Sequence, residues 1–184
     1  MLEELIKQCI KNDRQAQSQL YKYLYGKMFA ICRSYIPDYD IAANVMNDAF
    51  LKVFTNIEKY TNKGSFEGWV KKIVINTAID NIRCDKKYKE QIYLDERIEE
   101  KDLYFNEEEF NEIDIEEIYK MVEILPLASR TVFNLYVFEG LNHIEIGKKL
   151  QISVGTSKWH LSTARQKLRE LITEKNIVFN KVYE

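Results

Sequence analysis

Pro37 and Pro126 are the only prolines in the chain, and only six glycines accompany them among 184 residues. A chain this poor in turn formers cannot build many short strands, so long helices are its natural solution. The apolar residues agree, because they recur at helical spacing almost throughout. Leu2, Leu5, Ile6 and Cys9 form a first short stripe. Asn12 with Gln15 predicts a capping box. The helix it opens carries Ala16, Leu20, Tyr23, Leu24, Met28, Ile31 and Tyr35, and Pro37 stops it. Asp38 or Asp40 is placed to cap a third helix, with Ile41, Val45, Met46, Ala49, Phe50, Val53, Phe54 and Ile57 on its inner side. Lys59 to Gly64 reads as a loop. Ser65 is the expected N-cap of a fourth helix, Phe66 to about Lys87.

The formal net charge of −2 hides a strong asymmetry. Residues 1–90 carry 15 basic against 11 acidic side chains, residues 91–123 carry 3 against 13, and residues 124–184 carry 9 against 5. The stretch LDERIEEKDLYFNEEEFNE is acidic and weakly periodic, so it is expected to be a flexible or partly helical linker. The expected organisation is all-α, with two small helical domains. An N-terminal helical bundle (1–90) and a C-terminal helix-turn-helix domain (113–184) are joined by an acidic linker (91–112).

Several classes are disfavoured. The opening MLEELIKQ carries acids where a secretory signal needs a basic start. No apolar run approaches the roughly 20 residues a membrane span requires. A soluble cytoplasmic protein without membrane insertion is the expectation. Cys9, Cys32 and Cys84 are odd in number and widely spaced, and only two histidines accompany them. Neither a metal, a disulfide nor a cofactor is expected. The inward stripes are apolar, so a bundle enzyme with acids or histidines on facing helices is not expected either.

The C-terminal third is the most informative. Helical pattern returns over Ile113 to Leu125, and Pro126 suits the first turn of a helix running from Leu127 to Phe138. Glu139-Gly140 is a stop. Asn142-His143-Ile144-Glu145 is a capping box that opens a short helix to Leu150, with His143 as a surface or cap residue. Gln151-Ile152-Ser153 makes a tight turn, and Ser153 caps a longer helix. This is a helix-turn-helix pattern. On a wheel of about 3.6 residues per turn, Leu161, Ala164, Leu168 and Leu171 share a face expected to pack on Phe133, Ile144 and Leu150. Gly155, Thr156, Trp159, Ser162, Thr163 and Gln166 lie opposite. Lys158, Arg165 and Arg169 flank the buried stripe. Small and hydrogen-bonding groups near the N-terminal end suit base edges, while flanking cations suit phosphates. With His160, which neighbours Trp159, the expected duplex-contacting set is Gly155, Thr156, Lys158, Trp159, His160, Ser162, Thr163, Arg165 and Gln166. An ordinary amphipathic surface helix is the plain alternative, and an outward Trp159 weighs against it.

Leu125-Pro126, Arg130-Thr131-Val132-Phe133, Glu139-Gly140-Leu141, Glu145-Ile146-Gly147, Leu150, Ser153 to Lys158, Ala164-Arg165 and Leu168-Arg169 together resemble the fourth conserved region of bacterial sigma factors. The closest kind is the compact extracytoplasmic-function group. Asn44 to Phe54 is similar to the family's second-region helix. Gly64-Ser65-Phe66-Glu67-Gly68-Trp69 with Asn76 to Arg83 is similar to the strand-opening segment that follows it. The match spans nearly the whole chain in order. It departs at three places. The family usually has Ala at Gly147, Ser-Arg at Trp159-His160, and an acidic pair at Ala43-Asn44.

The resemblance implies a sigma factor that binds RNA polymerase core and directs promoter-specific initiation. Its partners would be promoter DNA, the clamp coiled coil of the largest polymerase subunit and the flap of the second-largest. An inhibitory anti-sigma factor is common in the family. The polymerase-facing set is Asn44, Asn47, Asp48, Leu51 and Lys52, where an exposed Leu among polar residues could anchor a partner helix. The set expected to open and hold the minus-ten strand is Tyr60, Asn62, Lys63, Ser65, Phe66, Lys72, Asn76 and Arg83. Aromatic groups there stack on bases, amides read edges and cations meet phosphates. Lys71, Lys86, Lys87 and Lys89 add positive charge nearby. Trp69 is expected to pack, and Asp80 to orient Arg83. The acidic linker would follow the RNA exit path. The rival reading is a stand-alone helix-turn-helix regulator that needs no polymerase.

Overall fold

The computed structural model describes residues 2–61, 63–85, 88–90 and 115–182, the last stretch with side chains over 120–173. Asn62, Lys86, Lys87, the acidic stretch 91–112 and the expected helix start at Ile113 lie outside the described residues. The chain divides into two compact units, Met1–Ile82 and Arg83–Glu184. Among the described residues every regular element is helical.

The first unit contains α1 (Leu2–Ile10), α2 (Arg14–Tyr35), α3 (Tyr39–Asn56), a 3-10 turn (Ile57–Lys59) and α4 (Phe66–Cys84). Its boundaries follow local chemistry. Asn12 does not open α2 but follows the end of α1 in a left-handed conformation with φ 59°, which Asn tolerates better than most residues. The cap of α2 therefore falls one residue later than expected. Asp13 is extended, and its carboxylate accepts from Gln15 N at 2.8 Å and Ala16 N at 3.0 Å. At the other end Ile36 is extended, as the ring of Pro37 requires of the residue before it. Asp38, rather than Asp40, caps α3 by accepting from Ile41 N at 2.9 Å. Asp40 sits in the first turn, where a negative charge favours the helix dipole. The Ser65 hydroxyl accepts from Gly68 N at 3.0 Å and so caps α4.

The core of this unit is one stripe from each long helix: Leu20, Leu24, Met28 and Cys32 of α2, Val45, Met46, Ala49 and Val53 of α3, and Val70, Val74, Ala78 and Ile79 of α4. Each fully buried large side chain contributes about 1.5–3 kcal/mol. Two residues expected inside point out. Ile41 is 44% exposed, and Ala42 occupies the inner position instead. Tyr23 is 61% exposed because it lies at the edge of the α2 stripe, where its ring can lie flat with the hydroxyl outward. That hydroxyl donates to Glu67 Oε1 at 3.4 Å, and Lys27 pairs with the same carboxylate, so the start of α4 is tied to α2.

The second unit contains α5 (Ile115–Ile124), α6 (Leu127–Val137), α7 (His143–Leu150) and α8 (Val154–Val182). Residues Ala128 to Leu135 of α6 are buried on every side, so α6 is the central helix. Gly140, with φ +66°, makes the stop after it. The capping box on α7 is complete. Asn142 Oδ1 accepts from Ile144 N and Glu145 N, both at 3.0 Å, while Glu145 Oε2 accepts from Asn142 N at 2.9 Å. Gln151, with φ 60°, closes α7 in the left-handed region. Both Gln151 N and Ile152 N donate back to Gly147 O. A Cβ at Gly147 would lie 2.9 Å from Ile152 O, so this turn is closed too tightly for alanine.

Leu150, Leu161, Ala164 and Leu168 are buried with Phe133, as the wheel requires. Ile144 is not part of that core. It is 59% exposed, and Ile146 is buried in its stead. The cap at Asn142 sets the phase of α7, so Ile146, Gly147 and Leu150 share the inner side and Ile144 lies outside it. On α8 Leu171 is half-buried and Ile172 buried.

Candidate nucleic-acid interface

Two surfaces, one on each unit, combine cations with aromatic rings. On the first unit, α3, the 3-10 turn and α4 enclose an open cleft of about 290 Å³. Lys52, Asn56, Lys59, Trp69, Ile73, Asn76 and Thr77 line it. Trp69 forms a wall and is itself braced. Its ring centroid lies 5.7 Å from that of Tyr60 and 5.6 Å from that of Phe66, and Tyr60 and Phe66 are 5.1 Å apart. Tyr60 OH donates to Gly64 O at 2.8 Å, which fastens the loop across this trio.

The trio corrects one expectation. Phe66 is only 4% exposed, so it supports the site from beneath and cannot stack on a base. Trp69, expected to pack, does pack on one side, but it also faces the cleft. Ser65 spends its hydroxyl on the helix cap. Lys63, Lys72 and Asn76 are exposed, while Tyr60 and Arg83 are half-buried.

Lys52 also reaches this cleft from the outer side of α3. Its ammonium donates to Thr77 Oγ1 at 3.2 Å and lies 3.7 Å from Asp80 Oδ2. The Asn56 amide is used at both ends, accepting from Lys59 Nζ at 2.7 Å and donating to Lys52 O at 2.8 Å. Asn56 thus shapes the cleft, and Asn76 is the amide that the exposed side of α4 brings to it. Asn56, Lys59, Ile73 and Thr77 were missed from sequence. The available signal was their helical spacing from Lys52 and Trp69.

The outer side of α3 keeps the remaining members of its set together. Asn44, Asn47, Asp48 and Leu51 are all exposed, Leu51 to 68%. Asn47 Oδ1 accepts from Tyr21 OH at 3.3 Å, which orients its amide against α2.

On the second unit, α8 packs against α6 and α7 along two adjacent stripes, so its buried face is wider than the wheel suggests. Thr156, Ser157 and His160 are buried along with Leu161, Ala164 and Leu168. Three expected contacts are therefore corrected. Thr156 Oγ1 shares a 2.7 Å hydrogen bond with Ser153 Oγ, and its own N–H donates to that Ser153 oxygen at 2.9 Å. His160 is wholly buried, with Nδ1 3.1 Å from Ser129 Oγ of α6. Burial lowers the His160 pKa to about 4, so the ring is neutral. The Ser162 hydroxyl oxygen is enclosed and makes no hydrogen bond. Lys158 and Gln166 are exposed, and Gly155, Trp159, Thr163 and Arg165 are partly exposed. This is the face left for a ligand.

Arg165 is held in place. Its guanidinium carbon lies 5.5 Å from the Tyr136 ring centroid, within range of a cation–π contact. The His143 ring stacks on the same tyrosine at 5.0 Å, and His143 Nδ1 lies 3.0 Å from Ser157 Oγ. Among the described residues no group of histidines, cysteines and acids is arranged to hold a metal. Cys9 and Cys32 are buried, Cys84 is exposed, and all three are free thiols.

Comparison with known proteins places these surfaces in context. Residues 20–88 match the family model Sigma-70 region 2, and residues 115–168 match Sigma-70, region 4. Together the two matches span about two thirds of the chain. The chain is 27% identical to the ECF RNA polymerase sigma factor SigW of Bacillus subtilis (strain 168), over 95% of its own length and 98% of the relative's. It is 26% identical to the RNA polymerase sigma factor SigV of the same organism, over 81% and 86%. It is 23% identical to the ECF RNA polymerase sigma-E factor of Escherichia coli (strain K12), over 88% and 89%. Among solved structures, CnrH in complex with the cytosolic domain of CnrY matches with a TM-score of 0.48 and 18% identity, over 92% of this chain and 96% of that one.

Proposed function

Because the chain belongs to the sigma-70 family, in its extracytoplasmic-function group, we propose that its two surfaces divide the promoter between them. The protein binds RNA polymerase core and directs promoter-specific initiation. In our reading the cleft on the first unit takes a base from the opened minus-ten strand. Trp69 supplies the stacking wall, Asn76 the amide, and Lys52 and Lys59 the charges for the flanking phosphates. The exposed face of α8 reads the minus-thirty-five duplex through Trp159, Thr163 and Gln166, with Lys158 and Arg165 on phosphates. Leu51, framed by Asn44, Asn47 and Asp48, anchors the clamp coiled coil of the largest polymerase subunit, and the second unit meets the flap. Residues 91–112 act as an acidic linker that follows the RNA exit path. The protein works in the cytoplasm, where polymerase is, and contributes binding energy rather than catalysis. Among the described residues no helix is long and apolar enough to cross a membrane.

The observation that carries this reading is the cleft. A stand-alone duplex-binding regulator has no use for an open cleft of about 290 Å³ lined by an indole, two amides and two lysines. The test mixes the purified chain with polymerase core and a labelled promoter library. Selection of a promoter class that requires both the chain and core supports the reading. Tight, selective duplex binding without core, and no initiation with it, would replace it by the regulator. Neutralising Glu107, Glu108, Glu109 and Glu112 tests the linker. Unchanged open-complex formation and promoter escape would reduce it to a spacer.

A further inference from the structure

The surroundings of His143 point to a second use for this side chain, beyond opening α7. Its Nδ1 is engaged with Ser157 Oγ at 3.0 Å, and its ring is held by the stack on Tyr136. Nε2 is the nitrogen left over. Among the described residues it is neither enclosed without a partner nor hydrogen-bonded. The charges that act on the ring from α8 are those of Lys158 and Arg165, and both are positive. From α6 the neighbour is Tyr136, a neutral phenol at ordinary pH, with Glu139 two residues past the end of that helix. On α7 itself the Glu145 carboxylate is turned to the Asn142 N–H. The first-turn N–H groups of Ile144 and Glu145 are already taken by Asn142 Oδ1. Any anion arriving here thus meets side-chain cations and not open backbone donors.

We infer that His143, Lys158 and Arg165 form a cradle for one phosphodiester of the upstream duplex, and that His143 takes up a proton when the phosphate seats. The inference rests on the reading of α8 as the duplex-facing helix. It adds a residue from the supporting helix and a proton to that reading. In the free protein, burial first, and then Lys158 and Arg165, hold the His143 pKa below its ordinary value, so the ring is neutral near pH 7. A phosphate oxygen at Nε2 favours the imidazolium, because an opposite charge at close range stabilises the charged form. Tyr136 matters twice. It positions His143 and Arg165 on a common ring, and an aromatic face tolerates a cation. The sign follows from linkage. Binding takes up a proton only between the free and the bound pKa, so affinity rises as pH falls through that window and levels off below it.

The experiment uses holoenzyme formed with the full chain and a double-stranded promoter fragment that includes the upstream element. Affinity is measured at pH 6 and pH 8 for the wild type, His143→Asn, His143→Gln and Lys158→Ala. Asn keeps a polar atom where Nδ1 meets Ser157, and Gln places one where Nε2 lies, so at least one variant should retain the fold. A thermal melt of each checks this. The expected result is a wild type that binds on the order of 3- to 10-fold tighter at pH 6 than either histidine variant does relative to its own value at pH 8. Lys158→Ala should bind more weakly at both pH values and keep the pH response, because it removes charge and not the proton site. A pH response that is the same in wild type and in a folded histidine variant overturns the inference. If Lys158→Ala also binds as well as wild type, the DNA-facing reading of α8 fails with it. That outcome is separate from the first.

Discussion

His160 Nδ1 lies 3.1 Å from Ser129 Oγ, and this contact joins the second turn of α8 to the central helix α6 inside the second unit. His160 stands where the resemblance puts an Arg, and here it is a neutral imidazole in the core.

A buried neutral histidine makes stability depend on pH in a defined direction. The folded pKa is lowered to about 4 from 6.5, chiefly by burial. The unfolded chain therefore binds more protons between those values. Stability is full above about pH 6.5, falls as pH drops towards about 4, and loses nothing further below it. The depression corresponds to roughly 3 kcal/mol. Urea unfolding followed by Trp159 fluorescence, in a Trp69→Phe background, should show a lower midpoint at pH 5 than at pH 7. His160→Gln should flatten that difference.

Gly147→Ala should destabilise the second unit. The new methyl meets the Ile152 carbonyl at 2.9 Å, and the groups that must give way are backbone. Overpacking of this kind costs about 1–3 kcal/mol. Denaturation of the variant should show the loss in the second unit, and upstream-element affinity should fall with core association unchanged.

The cleft on the first unit gives a discriminating pair. Trp69→Ala should weaken holoenzyme binding to a single-stranded minus-ten oligonucleotide by about 1–3 kcal/mol, the range for loss of a base–aromatic stack. Trp69→Phe should recover most of it. Upstream duplex binding should be unaffected by either change. Equal binding by all three proteins would remove Trp69 from strand capture.

Leu51 offers the cleanest separation of folding from association. At 68% exposure it adds little to the core, so Leu51→Ala should leave the melting curve in place. As the apolar centre of a polar patch it should behave as an interface hot spot, with a loss of about 2 kcal/mol or more in affinity for core. Pull-down titration against core measures this directly.

Trp159→Ala should change which upstream sequences are selected, with each lost base contact worth about 1–3 kcal/mol. Arg165→Ala should weaken all sequences and flatten the salt dependence, since its expected contact is a phosphate. Competitive selection from a randomised upstream element reads both outcomes at once.

The helical architecture was legible because its punctuation is local. Pro37, Asp38, Ser65, Gly140, Asn142 and Ser153 act within three or four residues of where they stand, and each does what its chemistry predicts. The error at Asn12 was also local. Two adjacent residues could both cap, and only the left-handed turn at Asn12 decided for Asp13. The sites were less legible because a helical wheel shows how a helix is divided but not how many neighbours will cover it. α8 lies against both α6 and α7, so Thr156 and His160 were counted outside when a second neighbour covers them. Lys52 shows a related limit. Its stem leaves α3 on the outer side, but the ammonium reaches across to Thr77. Long side chains choose their partners in three dimensions, and spacing along one helix does not record the choice.

The hydroxyls of Ser153 and Thr156 close on each other at 2.7 Å at the entry to α8. That clasp forms within the protein itself, so, on the proposed reading of α8, the helix would meet a DNA groove as a stiff probe and not as a segment that orders on contact. Differences in heat capacity between upstream sequences should then trace to the bending and hydration of the DNA, with the polypeptide's share the same for each.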